Sequence, residues 1–394
     1  MKKMTLIFII LFVGGMTAEA QWEQTNCPNT SRVTCIATSG SNVFAGFQDD
    51  GIYVSTDNGE TWHEANNGLT NYCLRDIAIS GPNIFAATPG SGVFLSTDNG
   101  DHWTAINDGI TNDYATSVIA SSPYICVGTN GGGVFNSSDN GSSWIAGNQG
   151  LTNLNVSCLG LVGYNCFAGT YDGGVFVFDY GQSNTWLEVN NGLTNNCIYS
   201  LVSDGTNIYA GTQGGGVFKS SDLGAHWNAV NSGLTFNYIT SLSMGTSDLF
   251  AGTNGEGVFR LSNAETNWSG INDGLTALDI YSLDISETYL YAGTNADGVW
   301  KLDLSEITKS DSEISKDEIS VSPNPASDII TFNISESNSE LTLNLYNTTG
   351  VLVRTETINQ NHNRINISDL SSGIFILELK SDEFVATKKL VIQR

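Results

Sequence analysis

Basic residues are scarce in this chain of 394 residues. Lysine and arginine together number 15, against 40 aspartates and glutamates, so the formal net charge at pH 7 is −25. A surface this negative repels the phosphate backbone of nucleic acids and the headgroups of anionic membranes. The composition therefore excludes nucleic acids and anionic membrane surfaces as partners.

Proline and charged residues are also few. The chain has 6 prolines and 14% charged residues, while 40% of it is hydrophobic and 43 residues are glycine. Disordered chains carry more charge and fewer apolar residues, and helical chains carry less glycine. We expect a folded protein built mainly from strands and turns.

Long apolar runs are absent after the first twenty residues. Within those twenty, Lys2 and Lys3 precede an apolar stretch from Leu6 to Val13, and Ala18-Glu19-Ala20 surrounds a cleavage point with small residues. This order is typical of a secretory signal peptide, because the apolar stretch is shorter than the ~20 residues that a bilayer-spanning helix needs. We expect its removal, a mature chain that begins near Gln21, and no remaining membrane span.

Metal-binding and redox motifs are missing as well. The cysteines form neither a CxxC pair nor a zinc-type spacing, and their odd number leaves at least one thiol unpaired within a monomer. Their pairing is not fixed by the sequence, and we interpret most of them as small core residues. We expect neither a metal nor a cofactor. The seven cysteines are Cys27, Cys35, Cys73, Cys126, Cys158, Cys166 and Cys197.

A repeat of 41 residues, once 42, organises most of the chain. The repeated pattern is a glycine, an aliphatic and an aromatic residue, with glycines at Gly51, Gly92, Gly133, Gly174, Gly216, Gly257 and Gly298. Tryptophans recur in phase at Trp22, Trp62, Trp103, Trp144, Trp186, Trp227 and Trp268. A period in the forties with short β-rich segments is typical of propeller blades. We predict an all-β, seven-bladed β-propeller.

Each repeat contains four strand signals, named A to D from the central channel outward. In the fifth repeat they are Cys197–Ser203, Asn207–Thr212, Gly216–Ser220 and a strand that starts at Trp227. The chain begins with a lone D-type strand at Trp22–Thr25, and its last repeat has only strands A to C. We expect the lone strand to pair with strand C of blade 7, Gly298–Leu302, because ring closure removes an exposed sheet edge.

Four repeats carry the motif S-x-D-x-G-x-x-W between strands C and D. It resembles the Asp-box of BNR-type propellers, and the resemblance covers residues 22–304. It implies a fold rather than an activity, since sialidases, other glycosidases, receptors and assembly factors share the motif. Aspartates that accept backbone N–H groups, glycines in the left-handed region and tryptophans between blades have structural roles. These residues are Asp57, Gly59, Trp62, Asp98, Gly100, Trp103, Asp139, Gly141, Trp144, Asp222, Gly224 and Trp227.

Two repeats depart from this motif. The fourth has a version with an extra residue, at Phe178, Asp179, Gly181 and Trp186. The sixth has lost it, with Asn263 and Glu265 in place of the aspartate and glycine.

The composition changes after Leu304. Residues 305–318 are polar and lack the repeat, so they read as a linker between a propeller at 21–304 and a domain at 319–394. That domain has alternating strand signals that predict a small β-sandwich. The predicted strands are Ile319–Ser322, Ile329–Ile334, Leu341–Tyr346, Val351–Thr355, Gly373–Leu379 and Val385–Ile392.

Four separated motifs give this domain a second resemblance. They are Val321-Ser322-Pro323-Asn324-Pro325, Leu345-Tyr346-Asn347-Thr348-Thr349-Gly350, Leu370-Ser371-Ser372-Gly373-Ile374-Phe375 and Lys388-Lys389-Leu390-Val391. Together they resemble the type A C-terminal sorting domain of type IX (Por) secretion. The resemblance implies engagement of that machinery by residues 319–394, removal of the domain, and release or attachment at the outer surface of a Bacteroidota-like bacterium. An ordinary adhesive sandwich module is the alternative.

Catalytic constellations are hard to assemble from this sequence. His63, His102 and His226 belong to different blades, so no Ser-His-Asp or Cys-His pair can be argued from them. The arginine triad and the Phe/Tyr-Arg-Ile-Pro signature of sialidases are not found. Hydrolysis by two carboxylates stays open. The loop carboxylates available for it are Asp49, Asp50, Asp172, Glu256, Asp279 and Asp297.

The clearest candidate site is a set of unlike residues at the starts of the A strands. Nineteen residues before each repeated glycine stand Arg32, Cys73, Tyr114, Asn155, Cys197, Tyr238 and Asp279. The next position is apolar in every blade, so structure constrains that neighbour and leaves this position free. Arg75, Tyr199 and Tyr281 lie two residues after Cys73, Cys197 and Asp279 and are further candidates. We call these residues the channel-mouth ring and expect it to bind a sugar or a peptide, although a merely solvated loop ring fits the same pattern.

Three functions follow as hypotheses. The first is a secreted or cell-surface binding protein for a glycan or an extracellular protein. The second is a glycoside hydrolase of the sialidase or xyloglucanase-like propeller type that uses loop carboxylates. The third is a surface scaffold without a ligand.

Overall fold

The structure is a computed structural model that describes residues 21–178, 184–262, 266–307, 319–334, 341–347, 351–358, 363–380 and 385–393. The predicted signal peptide, most of the predicted linker, and the positions of Asp179, Gly181, Asn263 and Glu265 lie outside the described residues. The chain divides into two compact units, one up to Leu304 and one from Ser305 onward.

The described part of the first unit contains seven four-stranded antiparallel sheets, as the repeat predicts. Strand β1 (Glu23–Gln24) is the outer strand of blade 7. Blade 1 has β2 (Val33–Ser39), β3 (Asn42–Phe47), β4 (Ile52–Ser55) and β5 (His63–Glu64), and blade 2 has β6 (Asp76–Ser80), β7 (Asn83–Thr88), β8 (Gly92–Ser96) and β9 (Thr104–Ala105). Blade 3 has β10 (Ala115–Ser121), β11 (Tyr124–Thr129), β12 (Gly133–Ser137) and β13 (Ile145–Ala146), and blade 4 has β14 (Val156–Val162), β15 (Asn165–Thr170), β16 (Val175–Phe178) and β17 (Trp186–Glu188).

The remaining blades follow the same order. Blade 5 has β18 (Ile198–Ser203), β19 (Ile208–Thr212), β20 (Gly216–Ser220) and β21 (Asn228–Ala229), and blade 6 has β22 (Ile239–Met244), β23 (Asp248–Thr253), β24 (Val258–Ser262) and β25 (Ser269–Gly270). Blade 7 has β26 (Ile280–Ile285), β27 (Tyr289–Thr294) and β28 (Val299–Asp303), and β1 completes it. The A strands of neighbouring blades, including β26 and β2, contact each other, so the seven sheets form a closed ring.

The two ends of the repeat region close the ring, as the strand count predicts. Glu23 pairs with Lys301 and Gln24 with Trp300, antiparallel. On either side of these two residues, the N–H of Trp22 donates to Asp273 at 2.9 Å and the N–H of Thr25 to Val299 at 2.9 Å. The closing hydrogen bonds join residues more than 250 positions apart, and they pair strand C of blade 7, which would otherwise be an open edge.

Neighbouring blades pack through their B strands. An aromatic residue of strand B in one blade shares a buried cluster with an aliphatic residue of strand B in the next blade, one position earlier in the repeat. The pairs are Phe44 with Ile84, Phe85 with Ile125, Phe167 with Ile208, Tyr209 with Leu249, and Tyr291 with Val43. Burial of each such side chain contributes about 1.5–3 kcal/mol, so these pairs supply much of the ring's cohesion.

The second unit contains two sheets that share one core. One sheet has the order β29 (Ile319–Ser322), β30 (Ile329–Ile334) and β33 (Arg364–Asn366), and the other β32 (Leu352–Ile358), β31 (Leu341–Asn347), β34 (Gly373–Lys380) and β35 (Val385–Ile392). Side chains of both sheets, such as Ile330, Phe332, Leu345 and Leu377, are buried in one cluster. The predicted β-sandwich is therefore correct.

Strand β33 is absent from the predicted set. Its three residues are too few to show an alternating apolar pattern, and they become a strand because Ile365 is buried opposite Ile330 of β30. The strand predicted over Val351–Thr355 begins one residue later and extends to Ile358, whose side chain is also buried in the core.

Candidate functional site

The starts of the seven A strands define the channel mouth, because strand A is the innermost strand of every blade. In four blades an asparagine side chain fixes this start by accepting the N–H two residues later, an Asx turn. These hydrogen bonds join Asn71 to Cys73, Asn112 to Tyr114, Asn153 to Asn155 and Asn195 to Cys197, at 2.9–3.0 Å. Backbone bridges to the preceding blade hold Tyr114, Asn155, Tyr238 and Asp279 in place.

A β-bulge lies just inside the mouth in six blades, where strand A shifts register against strand B. In four blades the bulged residue is Thr34, Thr116, Ser157 or Thr240. Each hydroxyl donates across the interface to a carbonyl of the next blade, at 2.5–2.7 Å. Bulges re-aim a side chain, and here they aim a hydroxyl that ties two blades together.

Three blades lack this inter-blade hydrogen bond. The corresponding residue is Arg75 in blade 2, Tyr199 in blade 5 and Tyr281 in blade 7. A neutral hydrogen bond contributes about 1 kcal/mol, so the three blades together forgo about 3 kcal/mol. Large polar side chains at positions that elsewhere stabilise the ring favour a binding role, because binding sites are where local stability is given up.

Two groups of predicted ring residues are brought together. At blades 7 and 1, the Arg32 guanidinium lies 4.5 Å from the centre of the Tyr281 ring and its Nε donates to Asn295 Oδ1 at 2.8 Å. This cation–π contact and the hydrogen bond fix the position of the arginine at the mouth.

At blades 4 to 6, three tyrosines form the second group. The Tyr238 and Tyr199 hydroxyls are 3.1 Å apart, and the Tyr199 ring packs edge-on against Tyr171 with centroids 6.1 Å apart. Gln213 donates to Tyr238 at 3.3 Å and accepts from Cys197 at 3.1 Å. Burial raises the pKa of Tyr199 well above its ordinary value, and the Tyr238 hydroxyl adds to this effect. The Tyr199 phenol is therefore a neutral donor and acceptor at physiological pH.

The other predicted ring residues lie between these groups. The Arg75 side chain is exposed and makes no hydrogen bond or ion pair with any residue that the structure describes. Burial raises the pKa of Tyr171, and the charge of Arg75 opposes this effect. Tyr114 is 40% exposed. Asn155 and Asp279 anchor the mouth through their backbone carbonyls, which accept from Tyr171 and Asn295.

Two channel carboxylates, Asp76 and Asp284, are absent from the predicted set. Asp76 Oδ2 accepts from Ser117 Oγ at 2.9 Å and from the Val118 N–H at 2.8 Å. Asp284 Oδ2 accepts from the N–H and the hydroxyl of Thr38 at 2.7 and 2.9 Å. Burial raises the pKa of each from 3.8 to about 6, against the lowering effect of these hydrogen bonds.

A sequence signal for Asp76 exists in the repeats. The same place in the other six A strands holds Cys35, Ser117, Cys158, Ser200, Ser241 and Ser282. Four of these serines accept an N–H of the next blade at 2.8–3.2 Å. A charged residue at such a place departs from the repeat as clearly as Arg75 does.

The loop carboxylates considered for hydrolysis are distributed over blades 1, 4, 6 and 7. Asp49, Asp50, Asp172, Glu256 and Asp297 occupy the turns between strands B and C. Asp50 accepts from Ser31 at 2.6 Å, Asp297 from Thr276 at 2.8 Å, and Asp172 from Asn153. These hydrogen bonds join each B–C turn to the loop that precedes strand A of the same blade.

The four S-x-D-x-G-x-x-W hairpins share one hydrogen-bond pattern. Each aspartate accepts the N–H four residues later at 2.8–2.9 Å, and each serine accepts the glycine N–H at 2.8–2.9 Å. The Thr61 hydroxyl and N–H lower the pKa of Asp57 to about 2. The glycines Gly59, Gly100, Gly141 and Gly224 have φ of 85–92°.

The tryptophans of these hairpins connect blades, with one exception. Trp103, Trp144 and Trp227 donate from Nε1 to carbonyls of the preceding blade, at 2.9, 2.6 and 2.7 Å. Trp62 instead donates to Gly59 in its own hairpin at 3.0 Å and is only half-buried. The sequence predicts a structural role for the motif, and these contacts lie within the hairpins and between neighbouring blades.

The third propeller arginine, Arg260, lies away from the mouth. It sits in β24, 6% exposed, with its guanidinium 3.0 Å from Asp248. No group of three or more histidine, cysteine, aspartate or glutamate side chains suited to a metal ion occurs in the described part of the chain. Among the described residues, no helix has the length and apolar character that a membrane crossing requires.

A comparison with family models identifies the second unit. Residues 320–393 match the family described as the secretion system C-terminal sorting domain. These residues form a type IX sorting domain. The chain is therefore an exported protein, secreted or held at the cell surface, of the Bacteroidota. A search of curated protein sequences returns no match.

Solved structures with similar folds include surface propellers. PorZ, a surface component of the type IX secretion system of Porphyromonas gingivalis, is 17% identical with a TM-score of 0.55 over 91% of this chain and 59% of PorZ. The extracellular domain of BT4673 from B. thetaiotaomicron is 13% identical with a TM-score of 0.59 over 95% of this chain and 59% of that one.

A third similar structure is YCF48 from Cyanidioschyzon merolae, 18% identical with a TM-score of 0.58 over 73% of this chain and 99% of YCF48. The chain spans 59% of the length of PorZ and of the BT4673 domain. At these identities the similarity shows the propeller fold and no shared activity.

Proposed function

We propose that the exported propeller binds a carboxylate-bearing glycan at the channel mouth. The observation that carries this proposal is the exposed Arg75 side chain, which has no partner among the described residues and stands at the position where four other blades place a stabilising hydroxyl. The ligand would complete the hydrogen bonds that this arginine lacks.

The charge distribution supports an acidic ligand. The propeller has five basic residues, namely Arg32, Arg75, Lys219, Arg260 and Lys301. Arg260 pairs with Asp248, Lys301 with Glu60, and Lys219 lies 5.4 Å from the Tyr209 ring. The two that remain, Arg32 and Arg75, both belong to the mouth of a strongly acidic molecule. A guanidinium is suited to bidentate recognition of a carboxylate.

The tyrosines support a sugar as the bearer of that carboxylate. Tyr171, Tyr199 and Tyr238 present aromatic surface beside hydroxyl groups, and Gln213 adds an amide. Ligand sites typically combine apolar and aromatic surface with a few placed polar groups. Pyranose rings offer an apolar face and hydroxyls in the same combination.

Replacement of Arg75 by threonine tests the proposal. The variant restores the residue that blades 1, 3 and 6 use, so the fold should be kept or stabilised by up to about 1 kcal/mol. Loss of a charge-assisted hydrogen bond costs about 1.5–3 kcal/mol, and binding to acidic glycans on an array should weaken about 10–100-fold. Lys219→Thr removes the same charge away from the mouth and serves as the matched control, with affinity changed less than about 3-fold.

Other outcomes identify other functions. Unchanged affinity in Arg75→Thr would place the site elsewhere. Saturable binding of acidic peptides instead of glycans would favour a protein ligand, and one propeller of similar fold, YCF48, has been solved with a D1 peptide bound. Absence of any saturable ligand would leave the scaffold hypothesis.

Glycoside hydrolysis is the second candidate function. The observation that favours it is the pair of channel carboxylates, Asp76 and Asp284, whose pKa values burial raises to about 6, the range of a general acid. Turnover of fluorogenic glycosides or polysaccharides, abolished by Asp76→Asn, would establish it. Turnover abolished by Asp279→Asn alone would return the chemistry to the loop carboxylates.

Delivery completes the proposal. We expect cleavage between the propeller and the sorting domain, within the polar segment 305–318, because it has few apolar residues to bury. Deletion of residues 319–394 should strand a folded propeller in the periplasm. Fractionation with immunoblotting of periplasm, surface and medium measures this. Normal export of the truncated chain would make the second unit an adhesive module.

A further inference from the structure

One blade interface breaks the aromatic–aliphatic rule of the B strands. Six blades have Phe or Tyr at the aromatic position of strand B, and six have Val, Ile or Leu at the position before it. The exceptions are Cys126 in β11 and Cys166 in β15, and they face each other between blades 3 and 4. Both departures from the repeat therefore occur at the same blade interface. Two unrelated substitutions would meet there only by coincidence.

The two thiols are in the same cleft. A thiol is much smaller than a phenyl ring, and a cleft of about 600 Å³ remains between Ile119, Tyr124, Leu161, Tyr164 and the two cysteines. Cys166 is buried, while Cys126 keeps some exposure. The Cys166 thiol lowers the pKa of Cys126, whereas contact with Cys126, together with burial, raises that of Cys166. The thiol of Cys126 is thus the more readily ionised one, and the cleft gives an oxidant access to it.

The other cysteines occupy separate places. Cys35 and Cys158 lie in the cores between blades 1 and 2 and between blades 4 and 5. Cys73 and Cys197 stand at the starts of different A strands, and Cys27 packs where blade 7 meets blade 1. Cys126 and Cys166 are the pair that the topology brings face to face.

We propose that Cys126 and Cys166 form a disulfide that staples blades 3 and 4 after export. The Cys126 thiolate attacks the disulfide of a thiol–disulfide oxidoreductase and releases one of its thiolates, and the Cys166 thiolate then displaces the second. The S–S bond forms, the two cysteines lose two protons and two electrons, and the oxidoreductase leaves as a dithiol. An exported protein meets the oxidising conditions that maintain such a bond.

Thiol counting tests the proposal on the full chain. When protein from an oxidising compartment is alkylated in denaturant without reductant, five of its seven cysteines should be modified. After reduction, all seven should be modified. Cleavage before Asp113, Asp139 and Asp172 should release peptides 113–138 and 139–171 joined by the S–S bond. The second peptide also contains Cys158, so the link must persist in Cys158→Ala and vanish in Cys166→Ala.

A second measurement does not depend on a variant that could misfold. Reductant should lower the Tm of the oxidised wild-type propeller by about 5–10 °C. The double variant Cys126→Phe, Cys166→Ile restores the Phe85–Ile125 type of pair, and reductant should leave its Tm unchanged. Seven alkylated cysteines in oxidised protein, a link between other cysteines, or a Tm that ignores reductant would each overturn the proposal.

Discussion

The Asp76 carboxylate in the channel makes a quantitative prediction about stability. Replacement of Asp76 by asparagine removes the charge and keeps the shape. The amide oxygen can still accept from Ser117 Oγ and the Val118 N–H. The amide nitrogen replaces Oδ1, which accepts the Ile77 N–H at 2.9 Å, and loss of that hydrogen bond costs about 1 kcal/mol.

The electrostatic gain depends on pH. Burial raises the pKa of Asp76 from 3.8 to about 6, so the folded state holds the proton more tightly than the unfolded state. Ionisation therefore opposes folding: the penalty is absent below pH 3.8, grows as pH rises, and is complete above pH 6. One pKa unit corresponds to 1.36 kcal/mol, which gives about 3 kcal/mol at pH 8 and about 1.5 kcal/mol at pH 5. Both are upper bounds, since the side chain keeps some exposure to the channel.

Urea unfolding at pH 5 and pH 8 measures the difference. All eight tryptophans lie between Trp22 and Trp300, so their fluorescence reports the propeller and not the sorting domain. Both pH values lie above the sequence pI of 4.2, which keeps the protein negatively charged and soluble. The free energy of unfolding of Asp76→Asn, relative to wild type, should rise by about 1–1.5 kcal/mol from pH 5 to pH 8.

Asp108→Asn is the matched control, because Asp108 is exposed on a loop. Its difference from wild type should stay constant between the two pH values. A constant difference for Asp76→Asn as well would refute the reasoning, because it would mean that channel water solvates this carboxylate as bulk water does.

Three further substitutions test other parts of the fold. Thr116→Val removes the hydroxyl that bonds blade 3 to blade 4 and should lower the free energy of unfolding in urea by about 1–2 kcal/mol. The control Thr104→Val, at an exposed position, should be near neutral. Equal effects of the two substitutions would show that the bulge hydroxyl does not stabilise the ring. Trp144→Phe loses the hydrogen bond to Ile106 and should lower the free energy of unfolding by about 2 kcal/mol in the same assay. Trp62→Phe should cost less, because the hydrogen bond of Trp62 stays within its own hairpin. The reverse order would contradict the inter-blade role of Trp144. Leu345→Ala opens a cavity in the core of the sorting domain and should lower the free energy of unfolding of that domain by about 2–5 kcal/mol. Export measured on immunoblots should fall, whereas the propeller's tryptophan-monitored unfolding should not change. Normal export, or an equal loss of export from the half-exposed Leu352→Ala, would show that sorting does not depend on the domain's stability.

Much of the candidate site was predictable because a repeat supplies its own comparison. Arg75, Tyr199 and Tyr281 stand out against the threonines and serines of the other blades without any structure. Their cost became visible only in the structure, which shows those hydroxyls bonded to carbonyls 40 residues further along the chain. The contact of Arg32 with Tyr281 joins residues at opposite ends of the repeat region, so only ring closure reveals it.

Local periodicity determined the blade count, the strand order and the closing strand, because each blade repeats one pattern of turns and apolar residues and a ring has one way to complete its last sheet. The short strand β33 escaped this reasoning, since three residues carry no period and only the partner strand makes them extended. The raised pKa values of Asp76 and Asp284 depend on burial by neighbouring blades. The meeting of Cys126 with Cys166 likewise depends on which face of each B strand turns toward the next blade. The repeat period is a property of the chain and can be read from the sequence. The burial of a side chain, and the face of the strand from which it meets the next blade, depend on how blades pack and therefore required the tertiary structure.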